Sequence, residues 1–210
     1  ICLNEYLNTY RKVFLALFVL AVGLSAISPE SYGNWFLEIS PVLIAIPFII
    51  YLGRRFGFSD ISYTLIFLYL LLPIIQAHYG VANVPFGFVL AKWENIDGRN
   101  MFDRLTHFSF GLLLFYPLLE IFKKNIGSHP FLKYFVPASV IMAFAAFYEV
   151  IELIVRQLAS PHLTFLFIAA QADFWDTSKD IANTLEGLAI ALVVTLVVAK
   201  LQLLKAKNSK

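Results

Sequence analysis

Cysteine is nearly absent from this sequence, and charged residues are scarce. Its 210 residues include one cysteine, Cys2, which excludes an internal disulfide and a cysteine-based metal site. Charged residues make up 14% of the chain, against about 25% in soluble domains, and hydrophobic residues make up 60%. A soluble fold could not bury that much apolar surface. We therefore expect an integral membrane protein.

A strong excess of charge of one sign is also missing, because the formal net charge is only +2. No basic run is interleaved with aromatic residues, which argues against a nucleic-acid partner. The sequence contains no internal repeat and no low-complexity segment that would divide it. We expect a single transmembrane domain over residues 1–210.

Apolar runs separated by charges and prolines predict an all-α, polytopic bundle of about six transmembrane helices. The first run has the shape of a secretory signal, but further runs follow it, which favours a retained helix. Two longer connections, about 78–103 and 157–178, are polar enough to be loops. The chain begins at Ile1 and not at methionine, which leaves room for residues upstream. The predicted spans lie at roughly 11–27, 36–52, 61–77, 104–122, 134–156 and 179–200.

Lysine and arginine positions predict the orientation, since the cytoplasmic side retains them. With six spans both termini lie on one side, and the loops of that side carry eleven of these residues against five on the other. We therefore expect the N-terminus and C-terminus in the cytoplasm. The richer side holds Arg11, Lys12, Arg54, Arg55, Lys123, Lys124, Lys133, Lys200, Lys205, Lys207 and Lys210.

Ionisable residues gather at the ends of the last three predicted spans that should meet the outer boundary. Each set has a spacing that places it on one helical face. Because successive spans run in opposite directions, residues distant in sequence can converge there. The sets are Asp103 with His107, Glu149 with Glu152, and Asp173, Asp176 and Asp180.

Six neighbouring carboxylates repel one another, and either protonation or a bound cation relieves the repulsion. So many oxygen ligands suit Mg²⁺, Mn²⁺ or Ca²⁺ better than Zn²⁺, because His107 is the one imidazole among these candidate ligands. We predict one or two divalent cations as cofactor, with Asp103, His107, Glu149, Glu152, Asp176 and Asp180 as metal ligands.

The same region predicts catalytic and substrate-binding residues. His107 and Asp173 are the predicted catalytic residues, and an imidazole titrates near neutral pH. Arg104 and Arg156 are predicted to bind a phosphate. Arg99, Arg104, Arg156 and Lys179 all lie near this face, where they could meet an anionic head group.

Simpler structural roles remain open for several of these residues. An ion pair with Arg156 would account for Glu149 or Glu152. Glu186 points away from the helical stripe of Asp176 and is not expected in the site. Helix capping explains acids that open a span, as at Asp103, Asp173 and Asp176.

These segments also carry a resemblance to a known family. The chain resembles the YjdF-like bacterial inner-membrane proteins, a family with a domain of unknown function, through roughly its second half. The resemblance implies a multi-pass protein of the bacterial inner membrane and brings no established activity. Ala172 stands where the family usually has glycine. The matching motifs are His78-Tyr79 with Pro85, Arg99-Asn100-Met101-Phe102-Asp103-Arg104-Leu105-Thr106-His107-Phe108 with Gly111, Tyr148-Glu149 with Glu152, and Gln171-Ala172-Asp173-Phe174-Trp175-Asp176 with Asp180.

Three functions fit this pattern. The first is a metal-dependent membrane hydrolase or transferase whose outward-facing site acts on a lipid head group or a polyprenyl phosphate. The second is a cation or proton-coupled transporter, although the inner halves of the spans hold almost no acids beyond Glu120. The third is a non-catalytic membrane partner whose polar cluster fixes helix packing.

Overall fold

The computed structural model describes residues 9–93, 99–125, 129, 131–168 and 173–208. Cys2 and the motif residues Gln171 and Ala172 lie outside these ranges. Every regular element within them is helical, which confirms the all-α prediction there. The helices are α1 (Thr9–Ser25), α2 (Tyr32–Phe56), α3 (Asp60–Tyr79), α4 (Pro85–Trp93), α5 (Phe102–Asn125), α6 (Leu132–Leu158), α7 (Pro161–Ile168) and α8 (Asp176–Asn208), with a 3-10 turn at Val81–Asn83.

Five of these helices, α2, α3, α5, α6 and α8, are long and apolar enough to cross a membrane. Each of them contains one of the predicted spans. The helix that matches the first predicted span, α1, has 17 residues and extends about 26 Å, slightly less than a hydrocarbon core of about 30 Å. A sixth crossing and the cytoplasmic position of the termini therefore stay predictions.

The two connections expected to be loops contain helices that the sequence reading missed. Residues 78–103 include the 3-10 turn and α4, and residues 157–178 include α7. Both α-helices begin at a proline, Pro85 and Pro161, a residue whose fixed φ suits the first helical position. They are too short to cross a bilayer, so they do not form the long apolar runs that predict membrane spans.

Helix α5 lies in the middle of the bundle and packs against α3, α6 and α8. Its contact with α8 is closest at two glycines. A Cβ atom on Gly187 would lie 2.0 Å from the Phe108 carbonyl oxygen, and one on Gly111 would lie 2.1 Å from the Thr184 carbonyl oxygen. Small residues let membrane helices approach backbone to backbone. This contact holds the first turns of α5 and α8 side by side.

The other end of the bundle is tied together by the start of α3. The Ser59 amide and the Ser62 hydroxyl donate to Glu120 Oε2 at 3.0 and 2.7 Å. From α1, Arg11 Nη2 donates to the Phe58 carbonyl oxygen at 3.3 Å. Glu120 therefore accepts hydrogen bonds from the N-cap amide and from a first-turn hydroxyl of α3, a structural role far along α5 from Asp103.

Candidate functional site

The first turns of α5, the last turns of α6 and the first turns of α8 bring their ionisable side chains together. Three overlapping groups each have ligand atoms within 4.8 Å of one another. Every residue predicted as a metal ligand belongs to at least one group. The groups are Asp103, His107 and Glu152; His107, Glu149 and Asp180; and Asp103, Asp176 and Asp180. We call these six residues the carboxylate cluster.

The carboxylate cluster is buried, with relative exposures between 1% for Asp180 and 6% for His107 and Glu149. At its centre the imidazole of His107 lies between two acids. His107 Nε2 is 3.4 Å from Glu149 Oε1 and 3.6 Å from Asp103 Oδ1. The ring of Tyr148 stands edge-on to His107, with centroids 6.0 Å apart. The cluster is thus an enclosed polar centre inside a hydrophobic bundle.

Basic side chains border one edge of the cluster. Arg104 Nη2 donates to Asp176 Oδ1 at 2.9 Å and to Asp173 Oδ2 at 3.1 Å. Its Nε lies 3.1 Å from Asp180 Oδ1 as an ion pair without hydrogen-bond geometry. Arg99 donates to the same two aspartates, at 3.0 Å to Asp173. A predicted phosphate ligand, Arg104, therefore lies directly on the cluster.

These cations do not balance the acids. The cluster and Asp173 contribute six carboxyl groups, whereas the ion pairs among the described residues bring in Arg99, Arg104 and Lys179. Four buried oxygens, Asp103 Oδ2, Glu149 Oε1 and both carboxylate oxygens of Asp180, have no hydrogen-bond partner within that part of the chain. A buried charge without compensation is costly. Three negative charges therefore call for protons or for a cation.

Asp173 lies just before α8, outside the helix, and its surroundings differ from those of the cluster. It accepts hydrogen bonds from Lys179 Nζ at 2.7 Å and from the Trp175 amide at 2.9 Å. The Lys179 hydrogen bond, then the Trp175 amide and the charges of Lys179 and Arg99, lower the pKa of Asp173 to about 2. So acidic a carboxyl is a weak base near neutral pH. Its catalytic role stays a prediction, and its contacts favour anchoring the basic side chains.

Comparison with known proteins identifies the family. The family described as "Predicted membrane protein (DUF2238)" matches residues 10–201. The chain belongs to the DUF2238 membrane protein family. It is also 31% identical over 192 residues to "Inner membrane protein YjdF" of Escherichia coli (strain K12), which covers 90% of this chain and 88% of the relative. No solved structure matches. The resemblance to YjdF-like proteins is thereby confirmed.

This DUF2238 protein is a multi-pass protein of the bacterial inner membrane, as its relative and its apolar helices indicate. Neither the family description nor the relative's name states an activity. All six residues of the carboxylate cluster lie inside the matched range. Any chemical role must therefore be argued from the geometry of the DUF2238 bundle itself.

The second predicted phosphate ligand of the DUF2238 protein lies apart from the first. Arg156 is exposed in the last turn of α6, and within the described part of the chain it forms no ion pair with Glu149 or Glu152. The structural alternative of an Arg156 pair is therefore not observed. Glu186, which the helical stripe left out, instead lines an open cavity of about 420 Å³ beside the arginines. This cavity is bordered by Arg99, Met101, Arg104, Asp173, Lys179, Ala182, Asn183 and Glu186.

Sequence reasoning missed one acid of the DUF2238 fold, Glu38. It is 3% exposed in α2, and its Oε1 has no hydrogen-bond partner among the described residues. The signal was present, because Glu38 is the sole charged residue between positions 31 and 53. An ionisable residue inside a span is a functional candidate.

Proposed function

We propose that this protein is a divalent-cation-dependent membrane enzyme, a hydrolase or transferase, that acts on a lipid head group or a polyprenyl phosphate. The observation that supports the proposal is the convergence of the carboxylate cluster, in which four buried carboxylate oxygens lack a hydrogen-bond partner among the described residues. Oxygen-rich sites of this kind suit Mg²⁺, Mn²⁺ or Ca²⁺. On the predicted orientation the cluster faces the periplasm.

One side of the cluster would form ion pairs with the arginines, and the other would bind the cation. Arg99 and Arg104 already hold Asp173 and Asp176, so the cation would be held chiefly by Asp103, Glu149, Glu152 and Asp180, with Asp176 shared between the cation and the arginines. A cation there would acidify a coordinated water and supply a nucleophile near neutral pH. Attack on phosphorus forms one P–O bond and breaks another, and the leaving oxygen takes the proton released by the water.

His107 is placed to pass that proton on. Its Nε2 faces both Glu149 and Asp103 at 3.4 and 3.6 Å, so either carboxyl group can exchange a proton with the ring. An imidazole can release the proton again to the leaving oxygen. In this scheme Glu149 and Asp103 orient the ring as well as contribute to the cation site.

The first test is metal binding by purified protein. We expect wild-type protein to carry a divalent metal and to bind Mn²⁺, measured by elemental analysis and by the electron paramagnetic resonance signal of free Mn²⁺. Asp180→Asn keeps the side-chain size and should lower Mn²⁺ affinity about 10- to 100-fold, the loss typical of an altered metal site. Asp60→Asn removes an exposed acid at the opposite end of the bundle and should leave affinity unchanged.

The enzyme proposal fails if wild-type protein carries no divalent metal and Asp180→Asn binds Mn²⁺ as wild type does. Metal binding alone would still leave a transporter as the other candidate. Release of inorganic phosphate from a phosphatidic acid or an undecaprenyl phosphate substrate, absent in Asp180→Asn, is the outcome that we expect of an enzyme.

A cation or proton-coupled transporter is the second candidate, and Glu38 is the observation in its favour. Glu38 is buried in α2, and its Oε1 has no hydrogen-bond partner among the described residues, so a second ionisable site lies inside the bundle on a helix that does not contribute to the cluster. Uptake of a labelled divalent cation or of protons into proteoliposomes, abolished by Glu38→Gln, would place this candidate first. Proteoliposomes that take up neither the divalent cation nor protons would exclude the transporter.

A further inference from the structure

We propose that the cavity beside Arg99, Arg104 and Lys179 binds a phosphate group, and that it does so only when a divalent cation occupies the carboxylate cluster. The inference rests on the proposed function and narrows it, because it names the ligand of the cavity and makes its binding depend on the cation. It also replaces Arg156 by Arg99 and Lys179 as phosphate contacts.

The cavity has the size and the donors for a phosphate-bearing head group. Its volume is about 420 Å³, and its lining includes three cationic side chains and the amide of Asn183. Arginine offers paired N–H donors that match phosphate oxygens. Lys179 is half exposed at 52% of its side chain and lies at the open edge. A ligand can therefore reach the donors from outside the bundle.

Without a cation, the acids around the cavity cancel this positive charge. Asp173 and Glu186 belong to its lining, and Asp176 and Asp180 hold the guanidinium groups from behind. A phosphate would meet arginines that are already fully compensated. Repulsion by Asp173 and Glu186 would then oppose its entry.

A divalent cation in the cluster reverses this balance. Asp176 and Asp180 share a potential cation site with Asp103, so two positive charges added there compensate the same carboxylates that now neutralise Arg99 and Arg104. The guanidinium groups then have charge left for an anion in the cavity. By thermodynamic linkage, phosphate must strengthen cation binding by the same factor by which the cation strengthens phosphate binding.

Two aromatic side chains indicate how a lipid could present the phosphate. Phe174 and Trp175 follow Asp173 directly and are 88% and 61% exposed. Tryptophan is typical of the membrane interface, where head groups lie. A lipid whose acyl chains lie against these rings would hold its phosphate at the level of Asp173. A free phosphate shares the same chemistry, so the test separates the two sources.

The experiment measures Mn²⁺ affinity by electron paramagnetic resonance for protein in phosphatidylcholine nanodiscs. One arm adds inorganic phosphate, another includes phosphatidic acid in the nanodisc, and empty nanodiscs correct for Mn²⁺ bound by phosphate or lipid. We expect at least one arm to tighten Mn²⁺ binding about fivefold or more, the lower range of allosteric coupling. An effect of phosphatidic acid alone would identify a lipid as the source.

Matched variants on α8 separate a built site from general attraction. Lys179→Gln and Asn183→Asp each alter the cavity and should remove most of the enhancement, measured for each variant as the ratio of its own Mn²⁺ affinities with and without phosphate. Lys200→Gln removes an exposed lysine farther along the same helix and should keep the full enhancement.

The outcomes distinguish this inference from the proposed function. Mn²⁺ binding that neither phosphate source changes overturns the inference and leaves the cation site intact. Absence of Mn²⁺ binding overturns both. Equal loss of the enhancement in Lys179→Gln and Lys200→Gln would show attraction to surface charge and would likewise overturn it.

Discussion

Substitution of Gly187 by alanine tests whether the contact between α5 and α8 holds the cluster together. A Cβ atom at Gly187 would lie 2.0 Å from the Phe108 carbonyl oxygen and 2.9 Å from the Leu112 amide nitrogen. Ordinary contact begins at about 3.4 Å, so the helices must separate by about 1.4 Å. Both obstructing atoms belong to backbone, which means that no side chain can rotate out of the way.

The expected cost is large for one methyl group. Overpacking typically destabilises by about 1–3 kcal/mol, and a backbone clash places Gly187→Ala near the upper value. Metal sites tolerate changes of about 0.2 Å in ligand distance, and the displaced helices carry Asp103 and His107 on one side and Asp180 on the other. We therefore expect Mn²⁺ affinity to fall together with stability.

Thermal unfolding in detergent, followed by tryptophan fluorescence, measures the stability change. Gly23→Ala is the matched control, because nothing lies within 4 Å of a Cβ atom there and alanine favours a helix by about 1 kcal/mol over glycine. Its midpoint should stay the same or rise. If Gly187→Ala unfolds at the same temperature as Gly23→Ala and binds Mn²⁺ as wild type does, the close contact does not position the site.

Three further substitutions test the ionic contacts. Asp173→Asn should reduce stability above about pH 4 and match wild type near pH 2. The pKa of Asp173 is lowered to about 2 in the folded protein, so its ionised form stabilises the fold above the unfolded pKa of about 3.9, and this contribution is lost as the pH falls through 2. Unfolding midpoints compared at several pH values check this, and a constant difference down to pH 2 would contradict it. Arg104→Gln should cost about 3–5 kcal/mol by leaving buried aspartates uncompensated, whereas exposed Arg156→Gln should change stability by less than about 0.5 kcal/mol; equal denaturant midpoints would refute the assignment. Glu120→Ala should cost about 1–3 kcal/mol, since it leaves the Ser59 amide and the Ser62 hydroxyl without their acceptor, and unchanged unfolding would remove its structural role.

The convergence of the acids could be expected from sequence because two simple rules act on it. Helical spacing places Asp103 and His107, or Glu149 and Glu152, on one face, and alternating spans bring those faces to one boundary. A charged residue at that depth must face the protein interior. These rules need no knowledge of which helices touch, so Asp176 and Asp180 of α8 were expected beside Asp103 of α5.

Pairing and competition among side chains could not be predicted in the same way. Arg99 and Arg104 form ion pairs with Asp173 and Asp176, while Arg156 is exposed on α6. The sequence predicts all three arginines near the same membrane boundary and does not distinguish them. Glu38 was missed because helix α2 contributes a single acid, and no second ionisable residue at helical spacing in that span marks it as part of a site.

The sequence by itself determined a helical membrane protein, the approximate location of its long apolar helices, and the end of the bundle where acids collect. Those features depend on the cost of placing polar groups in lipid, which acts on each segment separately. Only the tertiary structure decided which acids pair with arginine, which oxygens stay without a partner, and that two glycines set the distance between α5 and α8. Such features depend on contacts within a few ångströms between residues far apart in the chain, and local sequence pattern carries no record of them.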